Sequence, residues 1–141
     1  MRRRAFLTAV SAGTISLTGC LDALGETDTV QLNGIVLINA LDGPRSLAVL
    51  VQRESEIVYW VQHELSGSSC DRTIIKPTWQ TTAADFSVAV RLADRKTWAQ
   101  EPLDTYGGGC VVLTIELLHP GNGGDIIFRD RPCGNFPSPP C

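Results

Sequence analysis

The spacing of apolar residues has period two through most of the chain. It is cleanest from Asp85 to Ala93, where Phe86, Val88, Val90 and Leu92 fall on one face and Ser87, Ala89, Arg91 and Ala93 on the other. That is the signature of a half-buried strand, and it predicts Val88 and Val90 inside and Arg91 outside. Cys110 to Leu118 repeats it, with Val111, Leu113, Ile115 and Leu117 against Thr114 and Glu116. Gly34 to Ile38 is apolar on both faces, as a strand between two layers is. Arg45 to Arg53 carries Leu47, Val49 and Val51 on one side. Ile57 to Leu65 places Ile57, Tyr59 and Val61 on one face and Val58 and Trp60 on the other. Thr73 to Thr78 reads as a short strand that Pro77 confines to an edge. Asp125 to Asp130 is the last strand, and the proline-bearing run Arg131 to Cys141 cannot be a central one. Asp94 to Gly109 reads as irregular.

Turn chemistry separates these runs, at Asp42-Gly43-Pro44, Glu54-Ser55-Glu56, Ser66–Arg72 and His119–Gly124. The connections between the first three strands are short enough for hairpins and too short for crossovers. No stretch from residue 30 on keeps helical periodicity over three turns. The expected fold is all-β, an antiparallel β-sandwich of about seven strands.

The first twenty residues follow other rules. Arg2, Arg3 and Arg4 precede an uncharged run from Ala5 to Leu17, which is the length of a signal-peptide core and short of the roughly 20 residues that span a bilayer. Small residues then lead to Cys20. Cleavage before Cys20 predicts a leader over 1–19, a lipidated cysteine and acidic tether over 20–29, a domain over 30–131 and a proline-rich tail over 132–141. The leader holds three of the twelve basic residues and no acidic one. The remaining nine face fifteen acidic residues, a net charge of −6. That surface argues against nucleic acid and against anionic headgroups as partners.

Arg3-Arg4-Ala5-Phe6-Leu7 resembles the twin-arginine export motif, with Arg2 where that motif often has Ser or Thr. Leu17-Thr18-Gly19-Cys20 resembles a lipobox, in which the cysteine thiol is alkylated by lipid and the leader is cut just before it. With only Lys76 and Lys96 as lysines and an acidic balance, the chain resembles haloarchaeal secreted lipoproteins. The resemblance is specific over residues 2–20 and general over 30–130. It implies an immunoglobulin-like or cupredoxin-like domain, held by a lipid on Cys20 at the outer face of the cytoplasmic membrane.

Export places the remaining cysteines in an oxidising compartment, where an even set reads as a disulfide framework. With Cys20 lipidated, Cys70, Cys110, Cys133 and Cys141 are left. The turn His119–Gly124 has its midpoint between Gly121 and Asn122, and Cys110 and Cys133 are equidistant from it. A regular hairpin therefore sets them opposite one another and leaves Cys70 for Cys141. The rival arrangement joins Cys70 to Cys110 across the sandwich and Cys133 to Cys141 within the tail.

Candidate chemistry is sparse, and no cofactor is expected. A blue-copper site needs two histidines, a thiolate and usually a methionine. The histidines are His63 and His119, Met1 leaves with the leader, and Cys110 stands nine residues from His119. His63 and Glu64 are strand neighbours on opposite faces and cannot chelate together; both histidines read as surface residues at strand ends. Gly67-Ser68-Ser69 lacks a nucleophile-elbow context, and Gly107-Gly108-Gly109 lacks the following Lys and helix of a phosphate loop. The chain is therefore not expected to be an enzyme. Trp60 and Val58 form the candidate binding surface, unless the 94–109 segment or the tail covers them. The expected function is that of a non-enzymatic binding or structural module of the cell surface, its partner an unidentified surface protein or ligand. An accessory or solute-capture subunit of an envelope transport or redox system is the alternative, and a small hydrolase the weakest.

Overall fold

The computed structural model describes residues 29–67, 72–103, 109–119 and 125–134. Eight strands follow in order: β1 (Val30–Asn39), β2 (Arg45–Arg53), β3 (Glu56–Leu65), β4 (Arg72–Ile75), β5 (Phe86–Leu92), β6 (Ala99–Pro102), β7 (Gly109–Leu118) and β8 (Asp125–Pro132). They form two four-stranded sheets, ordered β4-β1-β7-β8 and β3-β2-β5-β6. The fold is a β-sandwich, as the alternation predicts.

The core is made by the inward residues of both sheets. Leu32, Ile35, Leu37, Leu113 and Ile115 of the first meet Leu47, Val49, Phe86, Val88, Val90 and Leu92 of the second, nearly all of them out of contact with solvent. At roughly 25 cal/mol per Å2, each such side chain stabilises the fold by about 1.5–3 kcal/mol relative to leaving it exposed. Trp79, in the passage from β4 to β5, is buried between the sheets, and its indole N–H donates to the Leu32 carbonyl at 3.0 Å. That carbonyl lies where the β1–β7 ladder slips register between Leu32 and Ile35, so the tryptophan bonds the backbone at the irregularity.

Four features depart from the sequence expectations. The pairing of β1 with β7 is parallel, while every other strand pair is antiparallel. An eighth strand, β6, lies inside the segment expected to be irregular; it pairs Ser87–Val90 through backbone bonds that need no apolar alternation. β8 continues two residues past Asp130, with Pro132 at the end of an edge strand, where a missing N–H costs little. The fourth is a β-bulge in β3: Val51 faces Tyr59 but Gln52 faces Ile57, so Val58 is an extra residue.

The hairpin β7–β8 has the expected register. Leu118 opposes Asp125 and Val111 opposes Pro132, which sets Cys110 against Cys133. The two form a disulfide with Cα atoms 5.4 Å apart, which excludes the Cys70–Cys110 alternative. Cys70 and Cys141 lie outside the described residues.

Asn39, buried at the end of β1, ties one end of the sandwich together. Its amide donates to the carbonyls of Gly43 (3.1 Å) and Ser66 (2.9 Å), and its carbonyl accepts from the Leu41 N–H (3.0 Å). All the principal hydrogen-bonding groups of a buried polar side chain are thereby used. The same junction brings the Gly67 backbone against Gly43 so closely that a Cβ on residue 67 would overlap it.

Candidate functional site

The outer face of the β3-β2-β5-β6 sheet carries small and polar side chains around Leu50 and Ile57, together with two tryptophans. Cross-strand register arranges it in rows. One row is Trp60–Leu50–Ala89–Gln100; beside it run Gln62–Ala48–Arg91 on one side and Ile57–Gln52–Ser87–Pro102 on the other. Alanine and serine keep the sheet centre low, so that large side chains from its edges can lie across it.

Trp60 comes from edge strand β3 and is 62% exposed; Trp98 comes from the β5–β6 connection and is 38% exposed. The two indoles meet edge to face, with ring centroids 6.4 Å apart. The Arg91 guanidinium lies 5.1 Å from the Trp98 ring centroid, a cation–π contact. Arg91 is consequently half-buried, where simple alternation predicts it exposed, and its Nε is buried without a hydrogen-bond partner. The 94–109 segment thus does reach this face, but Trp98 enlarges the aromatic surface around Trp60 instead of hiding it.

Val58 does not share that surface. The bulge turns it toward the core cluster, against which it packs half-buried, and puts Ile57, 53% exposed, on the outer side with Trp60. Alternation through Ile57–Leu65 assigns the two residues the other way round because it assumes an unbroken pleat. Trp98 and Arg91 carried no sequence signal as partners of Trp60, since the contact is made across the width of a sheet.

Toward the inner side of β3, Tyr59 packs edge-on against Trp79 and its hydroxyl is hydrogen-bonded to His63 Nε2 at 2.8 Å. Burial holds the His63 pKa below the usual histidine value and raises that of Tyr59, each because the charged form loses hydration. His63 is therefore half-buried and partnered, not a free surface histidine. His119 directly follows β7, 3.4 Å from the Asp42 carboxylate, and its Nε2 accepts from the Asp42 N–H at 3.2 Å. The two histidines belong to separate networks. Among the described residues no three His, Cys, Asp or Glu side chains are grouped to hold a metal ion.

Arg3, Arg4 and Cys20 lie outside the described residues. The chain matches no protein-family model and no curated protein.

Proposed function

We propose that this protein is a lipid-anchored module of the outer face of the cytoplasmic membrane that binds a cell-surface protein through the outer face of the β3-β2-β5-β6 sheet. The leader and Leu17-Thr18-Gly19-Cys20 support the address. The observation that carries the binding role is the exposed Trp60–Trp98 pair with Arg91 stacked on it. Tryptophan and arginine are the residues most enriched at the energetic centres of protein interfaces, and two rigid indoles lose little entropy on docking. The polar residues around them, Gln52, Gln62, Gln100 and Glu64, suit a hydrated rim. With Cys20 as the lipid site, the short acidic tether lets the domain begin within about 30 Å of the membrane, where the partner would also reside.

The test has two parts. Cys20→Ser should release the protein from the membrane or leave it uncleaved, and mass spectrometry of the wild-type mature terminus should find lipid on Cys20. A photo-crosslinker at Gln62 in native membranes should trap a discrete protein adduct. Trp60→Ala and Trp98→Ala should each weaken its formation by an amount equivalent to about 2 kcal/mol or more, with little change in melting temperature. Adducts that persist unchanged in both variants would remove this face from the function.

A further inference from the structure

Each sheet has two edge strands, and three of the four are guarded against further pairing by shortness, proline or interspersed charge. β4 and β6 have four residues each, β6 ends in Pro102, and β8 carries Asp125, Arg129, Asp130, Arg131 and Pro132. β3 lacks all of these. It is ten residues long, and from Ile57 to His63 it holds no proline and no Lys, Arg, Asp or Glu. Its bulge at Val58 lies near the turn and leaves Tyr59–Leu65 in unbroken register with β2. Five large apolar side chains are exposed among the described residues, and three of them, Ile57, Trp60 and Val61, belong to β3. The exposure reaches the inner side of the strand as well: Val49 is 0% exposed, while Val61 opposite it is 42% exposed.

The neighbouring ladder shows which backbone groups of β3 are turned outward. The Ser46 carbonyl accepts from the Ala93 N–H, and the Glu54 N–H donates to the Asp85 carbonyl, so the even-numbered residues of β2 turn toward β5. Backbone groups alternate sides along an antiparallel strand, so Leu47, Val49 and Val51 bond β3 through His63, Val61 and Tyr59. The N–H and C=O groups of Trp60, Gln62 and Glu64 therefore point away from β2, where no described strand pairs with them. The Gln62 side chain donates to Ser46 of β2 and so leans back from the edge.

We propose that β3 pairs antiparallel with β3 of a second copy of this chain, about a two-fold axis at Gln62. The edge is self-complementary in that register, as an isologous contact requires. The outward residues Trp60, Gln62 and Glu64 are symmetric about Gln62, so Gln62 bonds Gln62 of the second copy, Trp60 bonds Glu64, and every outward group of the three is used. On the inner side Val61 falls beside His63 of the second copy, and Tyr59 beside Leu65. On the outer side Trp60 falls beside Glu64, whose carboxylate is the one acidic group between Tyr59 and Leu65, so like charges do not meet. Other registers fit worse. An axis at Val61 sets Glu64 against the bulged Val58, and one at Trp60 sets Glu64 against Glu56. The dimer joins two four-stranded sheets into one of eight strands, with both Trp60–Trp98 pairs on the same face. It uses the strand edge and does not depend on the binding role of that face.

Light scattering on the solubilised exported protein over a concentration series should reach the mass of two chains. Gln62 opposes itself across the axis, so Gln62→Lys and Gln62→Glu should each raise the dissociation constant roughly tenfold or more, with unchanged circular dichroism. An equimolar mixture of the two variants should restore the dimer. Gln62→Cys should form a disulfide with its own counterpart, because Cα atoms of a bonded pair stand about 5.5 Å apart, and Trp60→Cys should not. That crosslink decides the register even if a charge variant does not fold. A wild type of single-chain mass at every concentration overturns the dimer. Fast amide exchange at Trp60, Gln62 and Glu64 would then leave the edge bare, and slow exchange would put another segment of the same chain on it. Dimers that both charge variants leave intact also overturn it. A photo-crosslinked adduct at Gln62 of twice the chain's own mass reports this dimer, and one with a different protein reports the tryptophan face, so the two readings fail separately.

Discussion

His63 shows how a single residue's setting makes stability depend on pH. Its imidazole is half-buried, stacked at 6.1 Å on Tyr59 and bonded to the Tyr59 hydroxyl. Loss of hydration disfavours the imidazolium, so the folded-state pKa lies below the unfolded value of about 6.5. Between the two values the unfolded chain binds more protons than the folded one, so stability rises with pH in that window. The contribution is fully present above about pH 6.5 and is lost as pH falls through the folded pKa. Thermal melts at pH 7 and at pH 5.5 should therefore differ, with the lower melting temperature at the lower pH, and His63→Gln should reduce the difference. A slope unchanged in His63→Gln would assign it to other groups. Partial exposure of the ring keeps the effect small.

At the scale of the element, the β2–β3 hairpin departs most from the ideal. Its two-residue turn, Glu54-Ser55, has both residues at positive φ, 51° and 66°. That geometry matches the twist of the flanking strands, but it is one that Asn-Gly adopts readily and Glu-Ser does not. Glu54 is held there by its carboxylate, which accepts from the Asp85 N–H at 3.0 Å, whereas Ser55 is exposed. Ser55→Gly should raise stability in urea unfolding by roughly 0.5–1 kcal/mol, the strain relieved less the entropy glycine adds to the unfolded chain. A loss of stability would mean that the serine conformation is supported by contacts of its own.

The same hairpin marks where pattern alone stops predicting structure. The ranges of β2 and β5 are legible because each strand alternates without interruption, and the β7–β8 register is legible because the two apolar runs lie equally far from the middle of the turn-forming sequence between them. The bulge at Val58 is not, since Ile57-Val58-Tyr59-Trp60 is apolar at every position and admits either phase. β6, as Ala-Gln-Glu-Pro, has nothing to alternate and forms because β5 offers it a free edge. The candidate face was legible only at Trp60. Its companions Trp98 and Arg91 are set by the bulge and by how the β5–β6 connection folds, and neither leaves a local trace.

For the whole molecule, the parallel junction of β1 with β7 joins the first strand of the domain to its next-to-last, so the first sheet is complete only when most of the chain is in place. Such non-local pairing forms against a high loop-closure cost. β8 depends on it, as an edge strand held on one side only. The disulfide Cys110–Cys133 pins the open end of that hairpin, where the Cys133 N–H also donates to the Cys110 carbonyl at 3.2 Å. The bond closes a loop with a sequence separation of 23 residues, for which the chain-entropy model gives about 3 kcal/mol of stabilisation. A Cys110→Ser/Cys133→Ser double variant should lose about that amount in urea unfolding. Hydrogen exchange should then speed up first at Arg129–Arg131, before the β1 and β7 ladder. A loss below about 1 kcal/mol with unchanged exchange in β8 would show that backbone pairing and the packing of Phe128 and Ile126 against the core hold the edge strand without the bond.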